Sequence, residues 1–175
     1  MTGKRPRPAL DEDSLRDMAI RYVGRFATSR AKLLAYINRK LQERGWQGAA
    51  PPDPARLVER MCELRYVDDS SYATMKSAAL SRRGYGARRV AQTLRADGIA
   101  ESDREEADAQ TRNDSWSAAD RFARRKRIGP YAQAQLDPKQ REKAIAAFIR
   151  AGHSYDTARR WTDAPPGEPP DPSEP

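Results

Sequence analysis

The chain has 175 residues, 33% of them charged, with 33 Lys and Arg against 25 Asp and Glu and a formal net charge of +8. That charged share exceeds the roughly 25% of an average soluble domain, which argues against a large globular core and for thin layers of helices. Cys62 is the only cysteine and His153 the only histidine, and no run of about 18 apolar residues or signal-like apolar region occurs. An intramolecular disulfide is therefore excluded, and the expectation is a soluble, cytoplasmic chain with no metal, no cofactor and no membrane segment.

Residues 1–13, rich in Pro and charge, read as a flexible arm. Ser14 is a plausible N-cap, and Leu15, Met18, Ala19, Tyr22 and Phe26 keep the helical period of a first amphipathic helix. Thr28 or Ser29 can cap a second helix to about Arg44, with Leu33, Leu34, Ile37 and Leu41 as its stripe and Gly45 as its stop. The segment GWQGAAPPDP is a loop by composition, and Asp53 before Pro54 marks the start of a third helix carrying Leu57, Met61 and Leu64. Cys62 lies in this apolar helix and reads as a buried, inert thiol.

The centre of the chain is richest in local signals. Asp68 or Asp69 can accept the free N–H groups of a helix starting near Ser70, whose positions Tyr72, Met75, Ala79 and Leu80 share a face. Arg82 and Arg83 close that helix, and Gly84-Tyr85-Gly86 forms a basic turn into a second helix of about Ala87 to Asp97. Val90 and Leu94 point inward there, Arg88, Gln92 and Arg95 outward, and Gly98 caps.

Beyond Ile99, Glu101 to Gln110 is helical by propensity and acidic. A helix of about Ser115 to Arg127 sets Trp116, Ala119, Phe122 and Ala123 against Arg121, Arg124, Arg125, Lys126 and Arg127, and Gly129-Pro130 stops it. Asp137-Pro138 repeats the Asp53-Pro54 signal and opens a helix with Ala144, Ile145, Phe148 and Ile149 inward and Gly152 as cap. A short last helix from Ser154 carries Trp161, and His153 reads as neither ligand nor base. The tail at 164–175 is proline-rich and disordered by composition; it holds three acids and no base, so the chain before it is near +11.

Internal spacing adds organisation. Leu41–Gly45, Leu94–Gly98 and Phe148–Gly152 each place an apolar residue four before a glycine, 53 and then 54 positions apart. Tyr22-Val23, Tyr72-Ala73 and Phe122-Ala123 are aromatic-small pairs 50 positions apart. The reading is an all-α protein of three tandem three-helix repeats at 14–67, 68–113 and 114–163, forming an elongated curved array with a concave face. The competing account is chance similarity among amphipathic helices.

Certain residues resemble a known family. Tyr22, Ser29-Arg30-Ala31-Lys32-Leu33, Arg39-Lys40-Leu41 and Gly45-Trp46, then Leu64, Tyr66-Val67-Asp68-Asp69, Tyr72-Ala73, Arg83-Gly84-Tyr85-Gly86, Arg88-Arg89-Val90, Leu94 and Gly98-Ile99 resemble the bacterial RecX regulatory proteins. The likeness spans roughly Leu15 to Trp161 and is weaker in the third repeat, where Gly129-Pro130 and the longer loop to Asp137 depart from the central pattern. It implies three three-helix repeats that lie in the groove of a RecA filament on single-stranded DNA, oppose its extension and lower its ATPase, strand-exchange and coprotease functions. It also implies direct DNA contact, with single strands and possibly duplex.

The basic balance suits such a polyanionic fibre, through electrostatics that salt weakens, although the same arginines also serve as plain solubilising surface. Arg82, Arg83, Arg88, Arg89 and Arg95 are expected to form one binding strip and Arg121, Arg124, Arg125 and Arg127 another, with Tyr85 stacking or packing on the partner. The alternative for Tyr85 is that it covers its own helix turn, and for Arg82 that it is a solvated helix-end charge. The acidic helix either pairs with a basic neighbour or meets a basic patch on RecA. A stand-alone helical DNA-binding regulator is the rival function, since small three-helix units can place a helix in the major groove. An enzyme is not expected: no nucleophile–base arrangement, paired carboxylates or phosphate-binding glycine loop stands in the sequence, and a monomer suffices.

Overall fold

A computed structural model describes residues 8–172. Residues 1–7 of the expected arm and 173–175 of the expected tail lie outside the described residues. Nine α-helices run through the described chain in three consecutive sets of three: α1 (Glu12–Val23), α2 (Arg30–Arg44) and α3 (Pro54–Glu63); α4 (Asp69–Arg82), α5 (Ala87–Ala96) and α6 (Glu101–Asn113); α7 (Ser115–Lys126), α8 (Pro138–Arg150) and α9 (Tyr155–Asp163). A 3₁₀ turn at Gly129–Tyr131 follows α7. Among the described residues there is no strand, no helix long and apolar enough to cross a membrane, and no cluster of three or more His, Cys, Asp or Glu able to hold a metal ion.

The described residues divide into two compact units, one running up to Tyr72 together with Asp97–Ile99, the other Ala73–Ala96 and the described residues from Ala100 on. In the first unit α1, α2 and α3 bury Leu15, Met18, Ala19, Leu33, Ile37, Val58 and Met61, the stripe residues that helical spacing selects. Leu10, inside the expected arm, belongs to this core and is fully buried. Its backbone pairs with the segment after α2, Leu10 N–H donating to the Gly45 carbonyl at 3.0 Å and Gln47 N–H to the Leu10 carbonyl at 2.8 Å. Ordered structure thus begins sooner than composition suggests, and the cap of α1 is Asp11, with Ser14 closing a reciprocal capping box three residues on.

Other caps follow the sequence closely. Ser29, Asp53, Asp137 and Ser154 each accept a first-turn N–H through the side chain. Asp68 and Asp69 divide their labour in a way adjacency in sequence hides. Asp68 caps its own helix through Ser71 N–H at 2.8 Å, whereas buried Asp69 accepts Arg30 N–H at 2.9 Å and so serves the first turn of α2.

The glycine spacing marks equivalent places: Gly45, Gly98 and Gly152 follow the second helix of each set, all at positive φ (77°, 78° and 95°). The aromatic spacing does not. Tyr22 is near the end of α1, Tyr72 in the first turn of α4 and Phe122 in the second half of α7, so those pairs are not structural equivalents.

Several side chains expected inward are not. Phe26 is 54% exposed because Gly24 has already capped α1 and Phe26 lies beyond the helix. Met75 is exposed because α4 buries the face of Ala73, Ser77, Leu80 and Ser81. Leu64 and Ile149 are exposed as well, the first because it is the cap of α3 and no longer on its face.

The second unit holds its own core of Ala119, Phe122, Ala123, Ile128, Ala144, Phe148, Ala158 and Trp161, built by α7, α8 and α9. The start of the proline-rich tail rests on this unit: Ala164 is buried and Gly167 N–H donates to the Pro130 carbonyl at 2.9 Å.

Candidate functional site

The turn between α4 and α5 is built on backbone. Past Ser81 the chain closes with Gly84 N–H on the Ser81 carbonyl at 2.9 Å and Tyr85 N–H on the Leu80 carbonyl at 3.1 Å. The turn then crosses the one that joins α8 to α9. Gly86 N–H donates to the Ala151 carbonyl at 2.9 Å, and Arg88 N–H to the Gly152 carbonyl at 3.2 Å. Two backbones can meet this closely only where side chains are missing: a Cβ on Gly86 would sit 2.5 Å from the Gly152 carbonyl, and one on Gly152 2.3 Å from Arg89 N.

His153 completes the crossing. It is 3% exposed, lies against Phe122 and Phe148, and places Nε2 3.0 Å from the Gly84 carbonyl, a geometry in which Nε2 carries the proton and donates. Burial pushes its pKa below the ordinary imidazole value, against a smaller upward pull from the Gly84 carbonyl. The imidazole is a clamp between two turns.

Arginines surround this crossing in three settings. Arg121 donates from Nε to the Ser81 carbonyl at 3.1 Å and Arg125 donates to the Arg83 carbonyl, so two cations of α7 satisfy carbonyls at the negative end of α4. Tyr85 is half-buried against the core of this unit, with the Arg83 guanidinium 5.4 Å and that of Arg125 5.8 Å from its ring centre. The side chains of Arg82, Arg88, Arg95 and Arg127 are exposed and bond no other described residue, while exposed Arg89 reaches Gln92 at 3.3 Å. Arg124 turns elsewhere, over the Tyr131 ring at 4.7 Å with a 2.9 Å bond to its hydroxyl. Of the ten residues singled out by sequence, the structure therefore joins Arg83, Tyr85, Arg121 and Arg125 in one cluster and places Arg88 and Arg89 on the turn that crosses Gly152.

The acidic helix α6 is partly spent on its own arginine. Arg104 is buried, pairs with Asp108 at 3.0 Å and approaches Glu101 at 3.9 Å.

A second feature was not selected from sequence. In the first unit, Tyr22 and Tyr36 stack at 4.0 Å between ring centres with planes 16° apart, and Phe26 tilts against Tyr22 at 5.3 Å. They line an open cleft of about 500 Å³ together with Ala27, Thr28, Lys32, Ala35 and Arg39. At its edge the Lys32 ammonium bonds Asp97 at 2.7 Å and the Tyr72 hydroxyl at 2.8 Å, and that hydroxyl donates to Asp97 at 2.7 Å. Burial disfavours the charge of Lys32, but the bonds to Asp97 and Tyr72 more than offset this and hold its pKa above the ordinary value. The signal in the sequence was the second stripe of α2, where Lys32, Ala35, Tyr36 and Arg39 recur at helical spacing beside the buried stripe of Leu33 and Ile37.

Comparisons with known proteins agree on one family. The family model described as "RecX, second three-helix domain" matches residues 68–107, the stretch from the Asp68 cap into α6. The chain is 30% identical over 171 residues to the regulatory protein RecX of Myxococcus xanthus, covering 93% of this chain and 91% of that one. It is 33% identical over 126 residues to the regulatory protein RecX of Agrobacterium fabrum, covering 69% of this chain and 66% of the other. The fold is similar to a crystal structure of regulatory protein RecX (TM-score 0.63, 20% identity, 83% of this chain and 68% of that chain). It is also similar to the crystal structure of RecX from Lactobacillus salivarius (TM-score 0.58, 16% identity, 83% and 90%).

Proposed function

The chain belongs to the RecX family of regulatory proteins, and from that premise we propose that it binds the RecA filament on single-stranded DNA and lowers its ATPase, strand-exchange and coprotease activities in recombination and the SOS response. The observation that supports this most is the crossed glycine turn: it holds Arg88 and Arg89 on the first turn of α5, exposed and backed by a rigid backbone contact, next to the Arg83–Tyr85–Arg125 cluster. Arginines held this way meet phosphate or carboxylate with less ordering cost than arginines on a loop. Arg82, Arg95, Arg124 and Arg127 add charge to the same unit.

Inhibition then needs no chemistry by this chain. A regulator lowers the turnover of a fibre by binding its inactive form more tightly than its active form, and each tenfold shift in population takes about 1.4 kcal/mol of differential affinity. The basic excess supplies attraction to either form; the shape of the crossed turns supplies the preference.

The rival function, a regulator that reads duplex DNA by itself, is separated by one pair of measurements. Co-sedimentation with preformed RecA filaments is compared with a duplex mobility shift at the same salt. Filament binding with weak, sequence-independent duplex binding supports the proposal. Tight, sequence-dependent duplex binding without co-sedimentation overturns it.

A further inference from the structure

The aromatic cleft of the first unit has no part in the arginine cluster. One face of Tyr22 and one of Tyr36 are spent on their mutual stack, which leaves Phe26, 54% exposed, as the open ring. Phe26 leans on Tyr22 at 5.3 Å and keeps its outer face open to solvent. The cleft lining holds two cations, Lys32 and Arg39, the first bound at the cleft edge to Asp97 at 2.7 Å. Arg39 lies 5.7 Å and Lys40 5.9 Å from the centre of the Tyr36 ring. Glu43, one turn along α2, balances these cations from outside the lining, with Arg39 at 3.6 Å and Lys40 at 2.5 Å, so the cations are held near the rings and the Arg39 side chain stays 62% exposed.

Flat aromatic faces flanked by cations, on an open surface of about 500 Å³, match a ligand that alternates planar rings with anionic groups. A duplex keeps its bases stacked and out of reach of Phe26, so a single strand is the form of nucleic acid that fits. We propose that this cleft is a subsite for single-stranded nucleic acid, in which one base stacks on Phe26 beside the Tyr22–Tyr36 pair and Arg39, with Lys32 at the cleft edge, takes the adjoining phosphate. The inference deepens the nucleic-acid side of the function above. It is tested with no RecA present, so a failure here and a failure of filament binding are told apart.

The test is fluorescence anisotropy of the full chain with a labelled twenty-residue oligothymidine and with an abasic strand of equal length, at low salt. The wild-type chain binds the thymidine strand at least fivefold more tightly than the abasic one, since a stacked base is worth about 1–3 kcal/mol. Phe26→Ala loses that margin, and Phe26→Trp keeps it and shows indole quenching on binding; a cooperative unfolding transition in each variant shows that both fold. Equal binding of the two strands by the wild-type chain overturns the proposal. So does a Phe26→Ala chain with unchanged oligonucleotide binding, and if that chain has also lost filament inhibition the cleft belongs to a protein contact.

Discussion

His153 sets the acid limit of the second unit. Its neutral ring is buried against Phe122 and Phe148 with Nε2–H on the Gly84 carbonyl, and burial holds its pKa below the ordinary value. The unfolded chain takes up the proton near pH 6.5 while the folded chain resists it, so the unfolded state binds more protons as pH falls below that value. Stability is therefore independent of this group above about pH 6.5 and declines below it, by up to about 1.4 kcal/mol per pH unit, until the folded pKa is reached. Urea midpoints at pH 7.5 and 5.5 check this, and His153→Gln, which keeps an N–H donor and cannot protonate, removes the slope. Since the chain holds one histidine, no other imidazole confuses the result. In the first unit, Tyr72→Phe takes the hydroxyl from between Lys32 and Asp97 and costs about 1 kcal/mol in urea unfolding. Neither role was legible in the sequence: His153 read as inert, Tyr72 as ordinary core, and the partners of both lie 25 to 69 positions away along the chain. Asp68 and Asp69 were legible as caps, but not that they cap two different helices.

At the scale of elements, the crossing of the α4–α5 and α8–α9 turns depends on two glycines that no alanine can replace without moving backbone. Gly152→Ala meets Arg89 N at 2.3 Å while already at φ 95°, so overlap and left-handed strain add to about 3 kcal/mol or more. Gly45→Ala, at φ 77° with nothing within 4 Å of the added carbon, costs only the conformational part, about 1–2 kcal/mol. Measured unfolding free energies of the two variants should differ in that order, and equal values would mean that the crossed turns are loose. The start and stop signals of the helices were legible because caps and glycines act locally: Ser29, Asp53, Asp137, Gly45, Gly98 and Gly152 all do what their spacing announces. The face of α4 was not. It buries Ser77 and Ser81, so its apolar pattern is weak and Met75 falls on the open side. Leu10 was missed for a similar reason, a single apolar residue in a polar stretch whose burial rests on a backbone pairing with Trp46.

For the whole molecule, charge and family meet in one account. An excess of eight positive charges predicts attraction to any polyanion, and binding that relies on it falls steeply with salt. The arginines singled out by sequence divide by environment: Arg121 and Arg125 carry structure as well as charge, since each holds a carbonyl of the α4 terminus, whereas the exposed side chains of Arg88 and Arg89 hold no distant element, Arg89 reaching only Gln92 on its own helix. Composition identified which side chains carry charge, but a helix-end carbonyl forty residues away is not visible to it. Neutralising Arg121 or Arg125 should therefore lower stability and binding together, while reversing Arg88 and Arg89 should leave the helical circular dichroism and the unfolding midpoint as they are. The most direct test of the central claim is RecA ATPase on single-stranded DNA, titrated with this chain and with its Arg88→Glu, Arg89→Glu double variant. The account predicts falling ATPase with the first and at least tenfold weaker inhibition with the second; no inhibition by the wild-type chain, or equal inhibition by both, would contradict it.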